Sequence, residues 1–125
     1  MKTFKTWNTR DYDLYIPAPL KCEYYDGNLT PMQVLYLAEI ETLVQRGRQR
    51  SKHGCYPSNR FLAECQGISI ERVRKLNQEL KDKGFLIITM KGERRYIKTI
   101  WSDAVRNAFK MRKRRKKHGV VGTRP

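Results

Sequence analysis

The segment SNRFLAECQGISIERVRKLNQELKDKG, residues 58–84, constrains the fold more than any other part of the chain. Ser58, following Tyr56-Pro57, has the chemistry of an N-cap, since its hydroxyl can accept one of the N–H groups that the first helical turn leaves unpaired. The short helix it opens carries Phe61, Leu62, Ala63 and Cys65 as an apolar set and is closed by Gly67, a residue that enters the left-handed region without penalty. Two residues later Ser69 offers a second cap. At about 100° per residue the next helix collects Val73, Leu76, Asn77 and Leu80 on one face. Glu71, Lys75, Gln78 and Asp82 lie opposite, flanked by Arg72 and Arg74. Two helices joined by so short a glycine-containing turn form a helix-turn-helix unit.

The flanking segments complete a domain. After Gly84, FLIITM (85–90) and RRYIKTIW (94–101) are two β-rich runs around Lys91-Gly92-Glu93, and predict a hairpin. Upstream, Thr30-Pro31 starts a helix with Val34, Leu35, Leu37, Ala38, Ile40, Glu41, Leu43 and Val44, ending near Gly47. Tyr12, Leu14 and Ile16 alternate before Pro17 and Pro19, which predicts one extended strand or arm stopped by proline. Ser102-Asp103 begins a last helix with Val105, Ala108 and Phe109 on one side, a face that either packs on the domain or pairs with a second copy. The expected organisation is an N-terminal arm (1–11), one α+β domain (12–101), an amphipathic to polybasic helix (102–118) and a disordered tail (119–125). A helix, a helix-turn-helix and then a hairpin is the order of a winged helix-turn-helix domain, with a three-helix core and a hairpin wing.

Charge points to the partner. The chain has 125 residues with 27 Lys and Arg against 12 Asp and Glu, a formal net charge of +15. The first 28 residues sum to zero, whereas residues 46–60 carry +5, 84–101 carry +3 and 102–125 carry +8. Charge segregated in this way predicts a basic surface for a polyanion, double-stranded DNA first. On the second helix of the pair, Arg72, Arg74 and Lys75 suit guanine edges or phosphates, Gln78 suits adenine, and Glu71 can accept from cytosine, with Ser69 at the helix start. Lys91, Arg94 and Arg95 at the hairpin turn predict a backbone or minor-groove contact. Arg46, Arg48, Arg50 and Lys52 in the loop before the pair, with Asn59 and Arg60, extend the basic surface. Lys110, Arg112, Lys113, Arg114, Arg115, Lys116 and Lys117 form a phosphate-binding arm that needs no sequence information. The competing reading of the helix is a solvated face held by an i, i+4 pair of Glu71 with Lys75.

Other functions find less support. Three cysteines, an odd number, and an opening without a charged start and apolar run predict a reducing, intracellular setting. No window approaches the roughly 18 apolar residues of a spanning helix. His53, Cys55, Cys65 and Cys22 do not have a standard zinc spacing, and no nucleotide loop, nucleophile–base motif or carboxylate cluster is present. No enzyme, cofactor or metal is therefore expected. Tyr24, Tyr25, Tyr36, Tyr96 and Trp101 are candidates for stacking unpaired bases, although core or anchor roles explain most of them more simply.

The run CYPSNRFLAECQGISIERVRKLNQELKDKGFL, preceded by IPAPL and LTPMQVLYLAEIETL, resembles the winged helix-turn-helix domains of phage and plasmid replication initiators and phage replisome organisers. The resemblance covers residues 15–101. Its most specific parts are Tyr56-Pro57-Ser58-Asn59, Leu62-Ala63, Gly67-Ile68-Ser69 and Lys83-Gly84-Phe85. It implies DNA binding, replication initiation and the cytoplasm of a bacterial host cell. Many organisers continue into a second helical domain where this chain has a polybasic tail, and Gln66 stands where such domains often carry an apolar residue. A transcriptional regulator of the same fold, and a phage protein that inhibits or recruits a host nucleoprotein complex, are the alternatives.

Overall fold

The computed structural model describes residues 14–46 and 53–117, with side chains through Met111. Among these residues the protein is α+β, with five helices and one two-stranded antiparallel sheet. The helices are α1 (Ala18–Tyr25), α2 (Pro31–Arg46), α3 (Asn59–Gln66), α4 (Ile70–Asp82) and α5 (Ser102–Lys117), and the strands are β1 (Leu86–Lys91) and β2 (Arg94–Thr99).

Of the expected strand or arm, the described part, residues 14–17, belongs to no helix or strand. α1 corrects the role given to the two prolines, which start a helix rather than stop a strand. Pro17 is an extended N-cap and Pro19 lies in the first turn, where the missing N–H has no intrahelical partner to lose. Only Leu20 of this helix is buried. Tyr12 lies outside the described residues.

α2 is the centre of the core. Thr30 and Gln33 form a reciprocal capping box, with the Thr30 N–H donating to Gln33 Oε1 at 2.9 Å and the Gln33 N–H to Thr30 Oγ1 at 3.2 Å. Tyr36, Leu37, Ala38, Ile40 and Val44 are buried, and so are Glu39, Glu41 and Thr42. Burial on most sides marks a helix enclosed by its neighbours. Leu35 departs from the expected apolar set and is exposed.

The helix pair follows its local signals. Ser58 Oγ accepts from the Phe61 N–H and Ser69 Oγ from the Arg72 N–H, both at 3.0 Å. Gly67 closes α3 in the left-handed conformation at φ 69°. Leu62 and Ala63 are buried, but Phe61 is exposed and Cys65 only half-buried. In α4 the buried residues are Val73, Leu76, Asn77 and Leu80, as the periodicity predicts.

The hairpin pairs Leu86 with Thr99 through Lys91 with Arg94, leaving Gly92 and Glu93 as a two-residue turn with φ 63° at the glycine. A third segment joins its edge. Cys55 and Ile97 exchange both backbone hydrogen bonds, at 2.9 and 2.7 Å. The Cys55 thiol lies under this pairing, against the Ile40 and Ile97 carbonyls. Burial pushes its pKa up to about 12, which leaves roughly a thousandfold less thiolate than an ordinary cysteine carries at the same pH. Cys22 is exposed. Thiol-specific reagents at mildly alkaline pH are expected to modify Cys22 first and Cys55 only on unfolding. Equal modification rates, read by mass spectrometry, would show that the Cys55 segment does not stay paired.

α5 is anchored at its root. Ser102 is buried, Val105 is buried, and the Phe109 ring meets Tyr15 at 5.4 Å. Val105 and Phe109 therefore pack on the domain, while Ala108 is exposed. Among the described residues no helix is long and apolar enough to cross a membrane.

Candidate nucleic-acid interface

The face of α4 opposite its buried stripe carries Glu71, Lys75, Gln78 and Asp82, all exposed, with Arg72 and Arg74 beside them. Its polar side chains are partly engaged with one another. Arg74 Nη1 lies 3.0 Å from Glu71 Oε1, an i, i+3 pair, and Gln78 Nε2 donates to Asp82 Oδ1 at 2.9 Å. The expected pairing of Glu71 with Lys75 is replaced by Glu71 with Arg74. Lys75 forms no hydrogen bond or ion pair among the described residues. Arg72 Nε touches Met32 Sδ at 3.4 Å, which leans it toward α2. Because both partners of the Arg74–Glu71 pair are largely exposed, the pair contributes about 0–1 kcal/mol and yields to a ligand at little cost. Ser69 serves the backbone, its oxygen being occupied as the cap of α4.

Asn77, the polar member of the buried stripe, explains how this helix is held. Its Oδ1 accepts from the Tyr36 hydroxyl, and its Nδ2 donates to Asn59 Oδ1 at 3.3 Å. The same Asn59 oxygen accepts from Arg95 Nη1 at 2.7 Å, while Arg95 Nη2 donates to the Pro57 carbonyl at 2.8 Å. One chain of polar contacts thus links α2, α4, the start of α3 and β2. Burial raises the Tyr36 pKa above its ordinary value, against a smaller lowering influence of Arg95, so the phenol stays a neutral donor. Arg95 and Asn59, both expected to face a ligand, are half-buried and fix the hairpin relative to α4. The odd polar residue in the α4 stripe was the one sequence signal for this network.

Lys91 and Arg94 at the hairpin turn are exposed, whereas Lys98 is half-buried and 3.3 Å from Asp103. The Arg94 guanidinium lies 4.2 Å over the Tyr56 ring, a cation–π stack. Tyr56 meets Tyr96 edge-on at 5.5 Å, and Tyr96 meets His53 at 5.7 Å. Tyr56 was absent from the aromatic candidates, although it opens the Tyr-Pro-Ser-Asn entry. Between the start of α3 and the hairpin turn lies an open cleft of about 720 Å³, whose lining includes Tyr56, Asn59, Lys91, Glu93, Arg94 and Arg95.

Elsewhere, Arg60 is exposed and 3.8 Å from Glu64, and Arg46 is exposed at the end of α2. Arg48, Arg50 and Lys52 lie outside the described residues. Lys110 is exposed on α5, and Arg112, Lys113, Arg114, Arg115, Lys116 and Lys117 continue the same helix, their side chains lying outside the description. Of the other aromatic candidates, Tyr36 is buried, Trp101 packs against Phe85 at 5.7 Å, and Tyr24 with Tyr25 form an exposed pair. No protein-family model matches the chain, and no curated protein does.

Proposed function

We propose that the protein is a winged helix-turn-helix protein that binds double-stranded DNA with sequence preference, with α4 in the major groove and the β1–β2 hairpin as the wing. The observation that carries this reading is the exposed row of Arg74, Lys75 and Gln78 on a helix whose opposite face is clasped through Asn77, Asn59 and Arg95 to a basic hairpin. Such a clasp holds two elements at a fixed angle, which groove recognition needs. The division of charge supports separate roles. Residues 61–83 sum to only +1, whereas residues 102–125 carry +8, so the helix selects and α5 supplies affinity through phosphates. Resemblance to replication initiators and replisome organisers makes origin recognition in a bacterial host's cytoplasm the favoured role, with promoter control using the same helix.

The test begins with selection of a preferred site from randomised duplexes, followed by titration of the full-length protein on that site and on a scrambled one. Lys75→Ala or Gln78→Ala is expected to cost about 1–3 kcal/mol on the preferred site and little on the scrambled one. Truncation after Phe109 is expected to flatten the slope of log K against log salt by about 0.9 for each phosphate contact removed, with the ratio of the two affinities nearly unchanged. Equal losses on both duplexes for both substitutions would confine α4 to phosphate contact. No selected sequence and no footprint would favour a protein partner.

A further inference from the structure

We infer that the cleft between the start of α3 and the hairpin is a second site, which takes an unpaired nucleotide of a single-stranded nucleic acid. The inference goes beyond duplex recognition by α4: it shares the hairpin cations with the proposed wing but turns on Tyr56 and the plane of Arg94, which that reading does not use.

The strand geometry shows why this cluster is not core packing. Side chains alternate along β2, and with Ile97 buried in the core, Arg94, Tyr96 and Lys98 point to the other face. Tyr56 follows Cys55, which pairs with Ile97, and so lies beside Tyr96 on that outer face. The tyrosine pair is half-buried on that face, with His53 against Tyr96, and lies outside the core cluster that Ile97 enters. What it does is hold a plane in position. Tyr96 meets the Tyr56 edge, and Tyr56 supports the Arg94 guanidinium at 4.2 Å. Unpaired bases stack on such guanidinium planes as well as on aromatic rings, whereas a base inside a duplex has no free face to offer.

The rest of the lining suits the rest of a nucleotide. Lys91, Arg94 and Arg95 face a single carboxylate, Glu93, so the cleft favours a phosphate. Arg95 is tied to Asn59 and Pro57, which makes that wall rigid before a ligand arrives. A volume of about 720 Å³ lies within the usual range for small-ligand sites. The base then forms the outer layer of a base–Arg94–Tyr56 stack, with its phosphate toward Lys91.

The substitution Arg94→Lys tests the plane separately from the charge. Full-length protein is titrated with a fluorescent single-stranded deoxyoligonucleotide, its ribo counterpart, an abasic deoxy strand of equal length, and the duplex. Arg94→Lys and Tyr56→Ala are each expected to weaken binding of both base-bearing single strands by roughly tenfold, the scale of one lost base stack. The abasic strand should bind wild type and Arg94→Lys alike. A ribo strand that binds more tightly than the deoxy strand assigns the site to RNA, and the reverse assigns it to DNA. Unfolding midpoints of both variants are measured in parallel, and a loss confined to Tyr56→Ala that tracks a lowered midpoint counts against the site. Arg94→Lys leaving single-strand affinity unchanged overturns the inference, because charge alone would then suffice. The duplex reading fails separately, by indifference of duplex binding to Lys75→Ala and Gln78→Ala.

Discussion

Replacing Gly54 with alanine is expected to cost about 3–5 kcal/mol of folding stability, a large share of the roughly 5–15 kcal/mol that holds a domain together. Two causes add. Gly54 has φ 107°, a region where a side chain strains the backbone by about 1–3 kcal/mol. A Cβ there would also lie 2.1 Å from the Ile97 carbonyl oxygen and 2.7 Å from Lys98 Cβ. Neither contact can be relieved by turning a flexible side chain, so the segment must leave β2, which breaks both hydrogen bonds between Cys55 and Ile97. Those bonds contribute about 1 kcal/mol each. Gly67 is the control, since its φ of 69° is also left-handed but nothing lies within 4 Å of an added Cβ, and alanine there should cost about 1–2 kcal/mol. Urea unfolding midpoints compare the two. A Gly54 variant no less stable than the Gly67 variant would refute the close approach.

Glu41→Ala is expected to cost about 3 kcal/mol or more, and to loosen one end of the molecule before the rest. The Glu41 side chain is fully buried, and Oε1 accepts from the Thr99 hydroxyl at 2.7 Å and the Ser102 hydroxyl at 2.6 Å. Its Oε2 accepts from Gln45 Nε2 at 2.6 Å, and that amide also reaches the Ser102 carbonyl at 3.0 Å. Thr99 and Ser102 in turn accept the N–H groups of Trp101 and Thr99. The carboxylate therefore organises the corner where β2 becomes α5. Removing it leaves buried donors without their acceptor, at about 1–3 kcal/mol each, and a void besides. Amide exchange should accelerate in residues 99–109 more than in α3 and α4. Uniform acceleration, or a loss below about 1 kcal/mol, would show that the corner is held by other contacts.

These two positions mark where the sequence ceases to be legible. Ser58, Gly67 and Ser69 were readable because a cap or a left-handed terminus is decided within three or four residues. Val73, Leu76, Asn77 and Leu80 were readable because a helix repeats. Glu41 meets Thr99 and Ser102 across 58 and 61 residues, and no local pattern announces a carboxylate that will be buried. Arg95 looked like a hairpin cation because its partners, Asn59 and Pro57, are 36 and 38 residues away. α1 was missed for another reason. With one buried side chain it has no apolar period to detect, and its prolines are equally at home at a strand's end or a helix's first turn.

The anchoring of α5 has a consequence for ion atmospheres. Phe109 is the last of its described side chains to rest on the domain, and the helical backbone runs on to Lys117 with seven basic residues among positions 110–117. Wound at 1.5 Å per residue, that segment is about 12 Å long, and its axial charge spacing is near 1.7 Å, close in magnitude and opposite in sign to that of duplex DNA. Two unit charges in water interact by more than thermal energy when closer than about 7 Å. A segment this densely charged draws small anions toward it from the surrounding salt. Any polyanion that took the place of those small anions would set them free, so its binding would carry a salt term from the protein side beyond the roughly 0.9 per phosphate that a nucleic acid contributes.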